Sequence, residues 1–444
     1  MAPTKRMGII AGLLGGWCLL GICYAPPPAL AGPVQIDRIM DSCYQVDLDL
    51  SGLSHRDFGR DYARAIITAQ PEFESLVDSF LKGMLDVTRQ EAPDLNFATL
   101  RSRAQDIVTN VPVDYVDEIA GMQDVFSYDR DQLGDGRLSR NEMLVFQLFA
   151  DVFRPSLCSA SAVFGDASTT GHTIIGRNLD WYDLPGQEMN QLHAVSIFRN
   201  GEKSFANFGF LGSLSVVSAV SDDHVFASVL DIDTGLDYPD TKDKHSYTLD
   251  LRYALENETT LQGAADYLTT YDYAHWHLVA LADRDTAQVL ENNVGSPSRG
   301  LRTSTSELIP GVTWNHPDAI ATVNSFLLPG NYPTHFDAPS NVERFQSFQS
   351  LYDAYLTGGA AVDMDEMMQI SGYPGPDGQG LGRTGAIFRS RDGFPSVQSI
   401  VMDLDTLETH AFFAPREAMP RQPDYAIVFA QDPFTNPPGP IIGN

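Results

Sequence analysis

The sequence predicts a layered α+β fold, helical in its first part and sheet-rich in its second. Two periodicities and their order predict it. Before about residue 157, apolar residues recur at the three- and four-residue spacing of amphipathic helices. From Cys158 onward, short β-branched runs separated by turns take over. In that second part strands come in runs and helices come in runs, which argues for stacked layers rather than alternating βαβ units.

Residues 1–31 read as a targeting segment rather than as structure. Lys5 and Arg6 form a basic start, residues 7–24 are largely apolar, and Ala29-Leu30-Ala31 has the small-residue pattern of a cleavage site. The apolar run is nearly long enough to span a bilayer, but prolines and the small residues follow it at once, which favours removal after Ala31. A secreted or periplasmic protein without a stable membrane anchor is therefore expected. Residues 32–157 then form one region and residues 158–444 a second.

In the first region helices are expected at 57–69, 72–85, 97–108, 114–126 and 141–153. Pro112 stands just before the fourth, where proline is tolerated. Arg154-Pro155-Ser156 ends the fifth, because the residue before a proline is pushed out of the helical region. Leu157 and Cys158 then fall in an extended segment. Strands are expected at 173–176, 194–198, 214–220, 225–230, 278–282 and 288–291, and helices at 247–256, 261–271, 342–356 and 363–371. The strands 396–402 and 408–413 form a hairpin around Asp405, and a proline-rich stretch at 433–440 reads as a loose tail.

The chain has 444 residues, with 29 basic side chains against 58 acidic ones and a net charge of −29. Loss of the leader takes two basic residues and no acidic one, making the charge more negative still. Such a surface repels phosphate backbones and anionic headgroups, which excludes nucleic-acid binding and electrostatic membrane docking. Cys18 and Cys23 belong to the leader, which leaves Cys43 and Cys158. The two would be able to pair in an oxidising compartment, but the chemistry below needs Cys158 free.

Cys158 opens the run Cys158-Ser159-Ala160-Ser161-Ala162-Val163-Phe164, and Gly176-Arg177-Asn178-Leu179-Asp180-Trp181 follows after a turn. A thiol attacks an amide as thiolate, and a free cysteine titrates near ~8.5, so some group must take its proton. An α-amino group titrates at about 7.7–8, suited to general-base work near neutrality. A cysteine freed at a chain terminus would carry that base itself. No G-x-S-x-G elbow or H-E-x-x-H helix offers a competing site.

This pattern resembles the cysteine branch of the N-terminal-nucleophile (Ntn) hydrolases, which includes acid ceramidase, N-acylethanolamine acid amidase, the penicillin acyltransferase and, more distantly, choloylglycine hydrolase. The run from Val111 to Met122 is similar to the family's pro-segment helix, and that from His277 to Glu291 to its central hairpin. Val323-Asn324-Ser325-Phe326 and Ser340-Asn341-Val342-Glu343-Arg344-Phe345 fall where the family keeps an Asn and an Arg. The resemblance implies a four-layer αββα sandwich preceded by a helical pro-segment. It implies self-cleavage between Leu157 and Cys158, no cofactor, and hydrolysis of the linear amide bond of a small N-acyl substrate through a thioester. The two fragments would be able to stay associated as a heterodimer.

The same resemblance assigns roles. Arg177 would neighbour the thiolate and hold substrate oxygen, Asp180 would orient the α-ammonium, Asn324 would donate to an oxyanion, and Arg344 would brace the network. Asp231 and Trp181 are the substrate-side candidates, although the family has Asn in the slot nearest Asp231. Plainer readings stand beside these. A lone strand cysteine is also a common buried hydrophobe, Arg177 and Asp180 also suit an ordinary ion pair, and Asn324 also suits a loop cap.

The segment containing Asp131, Asp135 and Glu142 is laid out like an EF-hand loop, but Leu133 stands where an oxygen ligand belongs, so a structural turn is preferred and no metal is expected. Two further functions stay open on sequence: an acyltransferase that passes the acyl group to an amine, and a non-catalytic acidic secreted protein that binds calcium or another ligand.

Overall fold

The computed structural model describes residues 32–435 except residue 91, residues 154–156, residue 183, residues 233–239 and residue 392. The expected leader, the expected helix terminator at 154–156 and much of the proline-rich tail lie outside the described residues.

The chain begins with β1 (Val34–Met40) and β2 (Cys43–Asp49), then α1 (His55–Ala69), α2 (Phe73–Thr88), α3 (Phe97–Val108), α4 (Val113–Val125), α5 (Arg140–Gln147) and the short α6 (Phe149–Val152). Next come β3 (Leu157–Val163), β4 (Ile174–Asp180), β5 (His193–Asn200), β6 (Lys203–Phe210), β7 (Ser218–Ser221) and β8 (Phe226–Asp231). A helical pair, α7 (Tyr247–Asn257) and α8 (Leu261–Thr269), precedes β9 (His277–Ala282), β10 (Ala287–Asn292), β11 (Gly300–Arg302) and β12 (Ala319–Val323). The chain continues with α9 (Pro339–Tyr355), α10 (Met364–Ser371), β13 (Ser396–Asp403), β14 (Thr409–Phe413) and β15 (Ala426–Phe429).

The strands form two sheets, one nine-stranded in the order β1-β2-β5-β6-β7-β8-β9-β10-β11 and one six-stranded in the order β12-β3-β4-β13-β14-β15. Neighbours are antiparallel except β2 and β5, which run parallel with Cys43 opposite His193. β3 packs against β8, while α9 and α10 pack on β12, β4 and β13, and α7 packs on β6, β7 and β8. Alternation along β3 therefore separates two environments. Ala160 and Ala162 share a lining with Ala280 and Val289 of the larger sheet. Ser161 instead faces Met367 of α10.

Local chemistry accounts for the helix starts. Ser54 caps α1 by accepting the Asp57 N–H, and Ser139 with Glu142, like Asp363 with Glu366, closes a reciprocal capping box on α5 and α10. α1 buries Phe58, Tyr62 and Ile66 along one stripe. It crosses α4 so closely that a Cβ on Gly59 would lie 2.0 Å from the Glu118 carbonyl oxygen, and one on Gly121 would lie 2.1 Å from that of Arg56.

Three differences from the sequence expectation matter. The first region is not helical throughout, because residues 34–49 form β1 and β2 and enter the larger sheet. The fifth helix is broken at Leu148 into α5 and α6. The strand expected from residue 214 begins only at Ser218, and β6, β11, β12 and β15 were not anticipated.

The first region is held to the second by buried polar contacts. Arg252 of α7 and Glu118 of α4 form an ion pair with contacts of 2.6 and 3.0 Å, both side chains being buried. The Gln147 side chain donates to the Gly212 carbonyl and accepts from the Leu214 N–H, each at 2.8 Å, and the Gly212 N–H donates to the Tyr62 hydroxyl oxygen at 2.9 Å. Among the described residues no helix is long and apolar enough to cross a membrane.

Candidate active site

Cys158 is the second residue of β3 and is 2% exposed. The antiparallel register with β4 sets it opposite Leu179, and Leu157 opposite Asp180. Side chains alternate along β4, so Arg177 shares the Leu179 face with Cys158, and Asp180 lies on the other face. The six-residue run Gly176–Trp181 thereby serves both sides of one strand pair.

On the inter-sheet side, Arg177 Nη2 stands 3.5 Å from Cys158 Sγ and donates to the Val229 carbonyl of β8 at 3.0 Å. Its Nε and Nη1 have no hydrogen-bond partner among the described residues, although the guanidinium is 1% exposed. Burial pushes the Cys158 thiol up from its ordinary value; the Arg177 charge opposes this, and the charges of Asp180 and Asp231 add to it. A fully buried cation beside the sulfur favours thiolate over thiol.

On the other side, Asp180 is closed in by three groups. The Ser396 hydroxyl donates to Oδ1 at 2.6 Å, Arg344 Nη1 lies 3.2 Å from Oδ2, and Arg389 Nη1 lies 3.7 Å from Oδ2. Arg344 also donates to the Cys158 carbonyl oxygen at 2.9 Å, to Asn324 Oδ1 at 2.9 Å and to Asn341 Oδ1 at 3.2 Å. The Cys158 N–H donates to the same Asn324 Oδ1 at 2.8 Å. Asn324 Nδ2 in turn donates to the Asp231 carbonyl oxygen at 2.7 Å.

The five residues Cys158, Arg177, Asp180, Asn324 and Arg344 therefore converge from β3, β4, the end of β12 and α9. Their contacts differ in detail from the sequence expectation. With Leu157 and Cys158 joined, the nitrogen that would become the α-amine donates to Asn324, whereas Asp180 was expected to orient it. The Asn324 amide, expected to donate to an oxyanion, places an N–H on the Asp231 backbone carbonyl. Asp231 itself is buried at the end of β8, where Oδ1 accepts the Tyr247 hydroxyl at 2.8 Å.

Trp181 follows Asp180 but sits in an aromatic cluster, 5.4 Å from Phe149 in a T-shaped contact, and its indole N–H has no partner among the described residues. Asn178 donates to the Ser371 and Ile387 carbonyls at 2.8 and 3.1 Å and so ties β4 to the segments beside it.

Sequence reasoning missed Ser396, Arg389, Asn341 and Tyr247. Asn341 lies within the quoted run around Arg344, one helical turn before it, and that i, i+3 spacing was the available signal. Ser396 and Arg389 reach Asp180 only through the pairing of β4 with β13, which no local pattern reveals.

The support behind Asn324 is a second buried ion pair. Arg302 Nε donates to Glu291 Oε1 at 3.1 Å, and the two Glu291 oxygens also accept the Leu327 and Leu328 N–H groups at 2.8 and 2.9 Å. The loop after β12 is thus pinned from the larger sheet.

Cys43 and Cys158 are both buried, and no disulfide joins them. The EF-hand-like loop is held by protein groups: Asp131 Oδ2 accepts from Arg101 and Asn141 at 2.8 Å each, and Asp78 accepts the Gly134 and Gly136 N–H groups at 2.7 and 2.6 Å. Asp135 accepts the Arg137 N–H at 3.0 Å, and Glu142 accepts the Ser139 N–H at 2.7 Å. Gly136 has a φ of +81°, which suits that tight approach.

Among solved structures, the chain is similar to an N-acylethanolamine-hydrolyzing acid amidase ortholog of Caenorhabditis elegans at 15% identity and a TM-score of 0.37, over 56% of this chain and 93% of that one. It is also similar to two variants of the conjugated bile acid hydrolase of Clostridium perfringens, each at 11% identity over 58% of this chain and 89% of theirs, with TM-scores of 0.34 and 0.35. No family model and no curated protein matches the chain.

Proposed function

We propose that this chain is an exported cysteine amidase of the Ntn type, which cuts itself between Leu157 and Cys158 and then hydrolyses the amide bond of a small N-acyl substrate. One observation carries the reading: the Cys158 thiol lies beside a buried guanidinium while the N–H and carbonyl of the same residue are held by Asn324 and Arg344. A cysteine buried only for packing needs none of these.

In the first step the Cys158 sulfur attacks the Leu157 carbonyl carbon, the Leu157–Cys158 C–N bond breaks, and the nitrogen takes the thiol proton. A thioester joins the Leu157 acyl group to Sγ, and water cleaves it to a carboxylate and a free thiol. In turnover the freed amine, held at Asn324 Oδ1, takes the thiol proton. The thiolate attacks the substrate carbonyl carbon, with the uncommitted N–H groups of Arg177 placed for the oxyanion. The leaving nitrogen takes the proton back as its C–N bond breaks, and water hydrolyses the acyl thioester to the free acid.

The packing of α9 and α10 on one sheet, of that sheet on the other, and of α7 on the far side supports an αββα arrangement. The parallel β2–β5 ladder and the Glu118–Arg252 pair support retention of residues 32–157 as a bound subunit after the cut. The basic start, apolar run and small-residue site of residues 1–31 support export.

The test is electrophoresis and terminal sequencing of purified protein. A fragment starting at Cys158 in the wild type, and a single uncut band in Cys158→Ala, are expected. A wild type that stays in one piece would overturn the reading.

A further inference from the structure

Tyr247 is the first residue of α7, and its side chain is buried. Its hydroxyl stands 2.8 Å from Asp231 Oδ1 and 3.0 Å from the Ala150 carbonyl oxygen. Its N–H donates to Asp151 Oδ1 at 3.0 Å, and the Ser246 and Thr248 hydroxyls donate to Asp151 Oδ2 at 2.7 and 3.1 Å. A carboxyl group there accepts from the open N–H and hydroxyl groups of a helix start. Helix α6, just upstream of Leu157, thus caps a helix that lies downstream of Cys158.

The contacts continue from Tyr247 toward the nucleophile. Asp231, which the hydroxyl holds, gives its carbonyl oxygen to Asn324 Nδ2, and Asn324 Oδ1 takes the Cys158 N–H. The tyrosine ring is fixed by stacking on His277 at 4.7 Å and 23°. That imidazole is itself pinned between the His275 carbonyl at 3.1 Å and Asn292 at 2.9 Å, and burial keeps it neutral, with its pKa lowered to about 3. Packing alone would be met by phenylalanine. The hydroxyl adds a hold on a carboxylate whose charge acts on the Cys158 thiol.

We propose that Tyr247 is a positioning residue that sets Asp231, and through it Asn324 and Cys158, while tying that arrangement to the segment upstream of the cut. The inference rests on the proposed amidase reading and deepens it. Residues 150 and 151 would remain part of the working site after Leu157 and Cys158 separate, although neither touches the reacting atoms.

Tyr247→Phe, Asp231→Ala and the double variant test this, with the N-dodecanoyl amide of 7-amino-4-methylcoumarin as probe. Tyr247→Phe is expected to form the Cys158 fragment, to keep both fragments together, and to lower kcat about tenfold with KM nearly unchanged. Tenfold is about the lower end of what one hydrogen bond to a charged group is worth. The double variant is expected to be no slower than the slower single variant, because both break one contact. An unchanged kcat in Tyr247→Phe, or losses that multiply in the double variant, would overturn the proposal.

Should Tyr247→Phe fail to fold, Asp151→Asn supplies the second test. It loosens the α7 start and is expected to lower kcat in the same direction, and full activity in that variant would count against the proposal. Failure of the amidase reading looks different: the wild type itself would neither be cut nor release the coumarin.

Discussion

Arg344 donates through Nη1 to the carbonyl oxygen of Cys158 at 2.9 Å, so the guanidinium grips the backbone of that cysteine rather than its sulfur. The same fork spans Asp180, Asn324 and Asn341. A lysine offers one point of attachment where this site uses a planar pair. Arg344→Lys is expected to slow formation of the Cys158 fragment about 10²-fold, the cost of misplacing a reacting group by about an ångström. The time course of cutting, followed by electrophoresis, checks it.

Arg177 bears on the sulfur directly. Its charge lowers the thiol pKa against the upward push of burial, so its removal takes away the largest influence that lowers it. Arg177→Met is expected to shift the pH midpoint of Cys158 alkylation by iodoacetamide upward by about one unit or more. The labelled Cys158 peptide is quantified by mass spectrometry across a pH series. An unmoved midpoint would place the guanidinium outside the chemistry.

Asp151 gives a stability signature. Burial raises its carboxyl from 3.8 to about 7, despite the hydrogen bonds from Ser246, Tyr247 and Thr248 that favour the charged form. Between those values the folded chain holds a proton that the unfolded chain has released. Its contribution is therefore complete below about pH 4 and is lost as pH rises through about 7. At ~1.4 kcal/mol per unit, the swing is of the order of 4 kcal/mol. In an uncut Cys158→Ala background, urea unfolding at pH 4.5 and 7.5 is expected to show this loss, and Asp151→Asn is expected to lack it. Parallel pH dependence in the two chains would refute the assignment.

The α1–α4 crossing supplies a test remote from the site. A Cβ on Gly121 would meet the Arg56 carbonyl at 2.1 Å, a backbone atom that cannot rotate away. Gly121→Ala is expected to destabilise the uncut chain by about 1–3 kcal/mol, the usual cost of overpacking, read from its urea midpoint. Because α4 also carries Glu118, the same change is expected to weaken the hold on Arg252.

The parts of the site that lie close in sequence were legible in it. Cys158, Arg177 and Asp180 come from one antiparallel strand pair, whose two strands are marked by β-branched and small residues. Asn324 and Arg344 were reachable only through resemblance, since nothing in the loop after β12 or in α9 marks a residue as facing Cys158. Tyr247 and Asp151 gave no signal, because a buried tyrosine at a helix start and an aspartate in a helical run are ordinary residues until two distant segments meet. The strands β1 and β2 were missed for a related reason. Residues 34–49 mix charged and apolar side chains, and one of the two backbone partners of β2, strand β5, lies far along the chain.

That late pairing has a consequence for biosynthesis. At roughly 5–20 residues per second, β2 emerges from the ribosome well before β5 exists to lie beside it. Until then the first hairpin presents an unfilled row of amide and carbonyl groups to every other nascent strand nearby. Truncated or stalled translation products ending before His193 should therefore be the species most prone to clump, and the ones that a chaperone has most reason to shield.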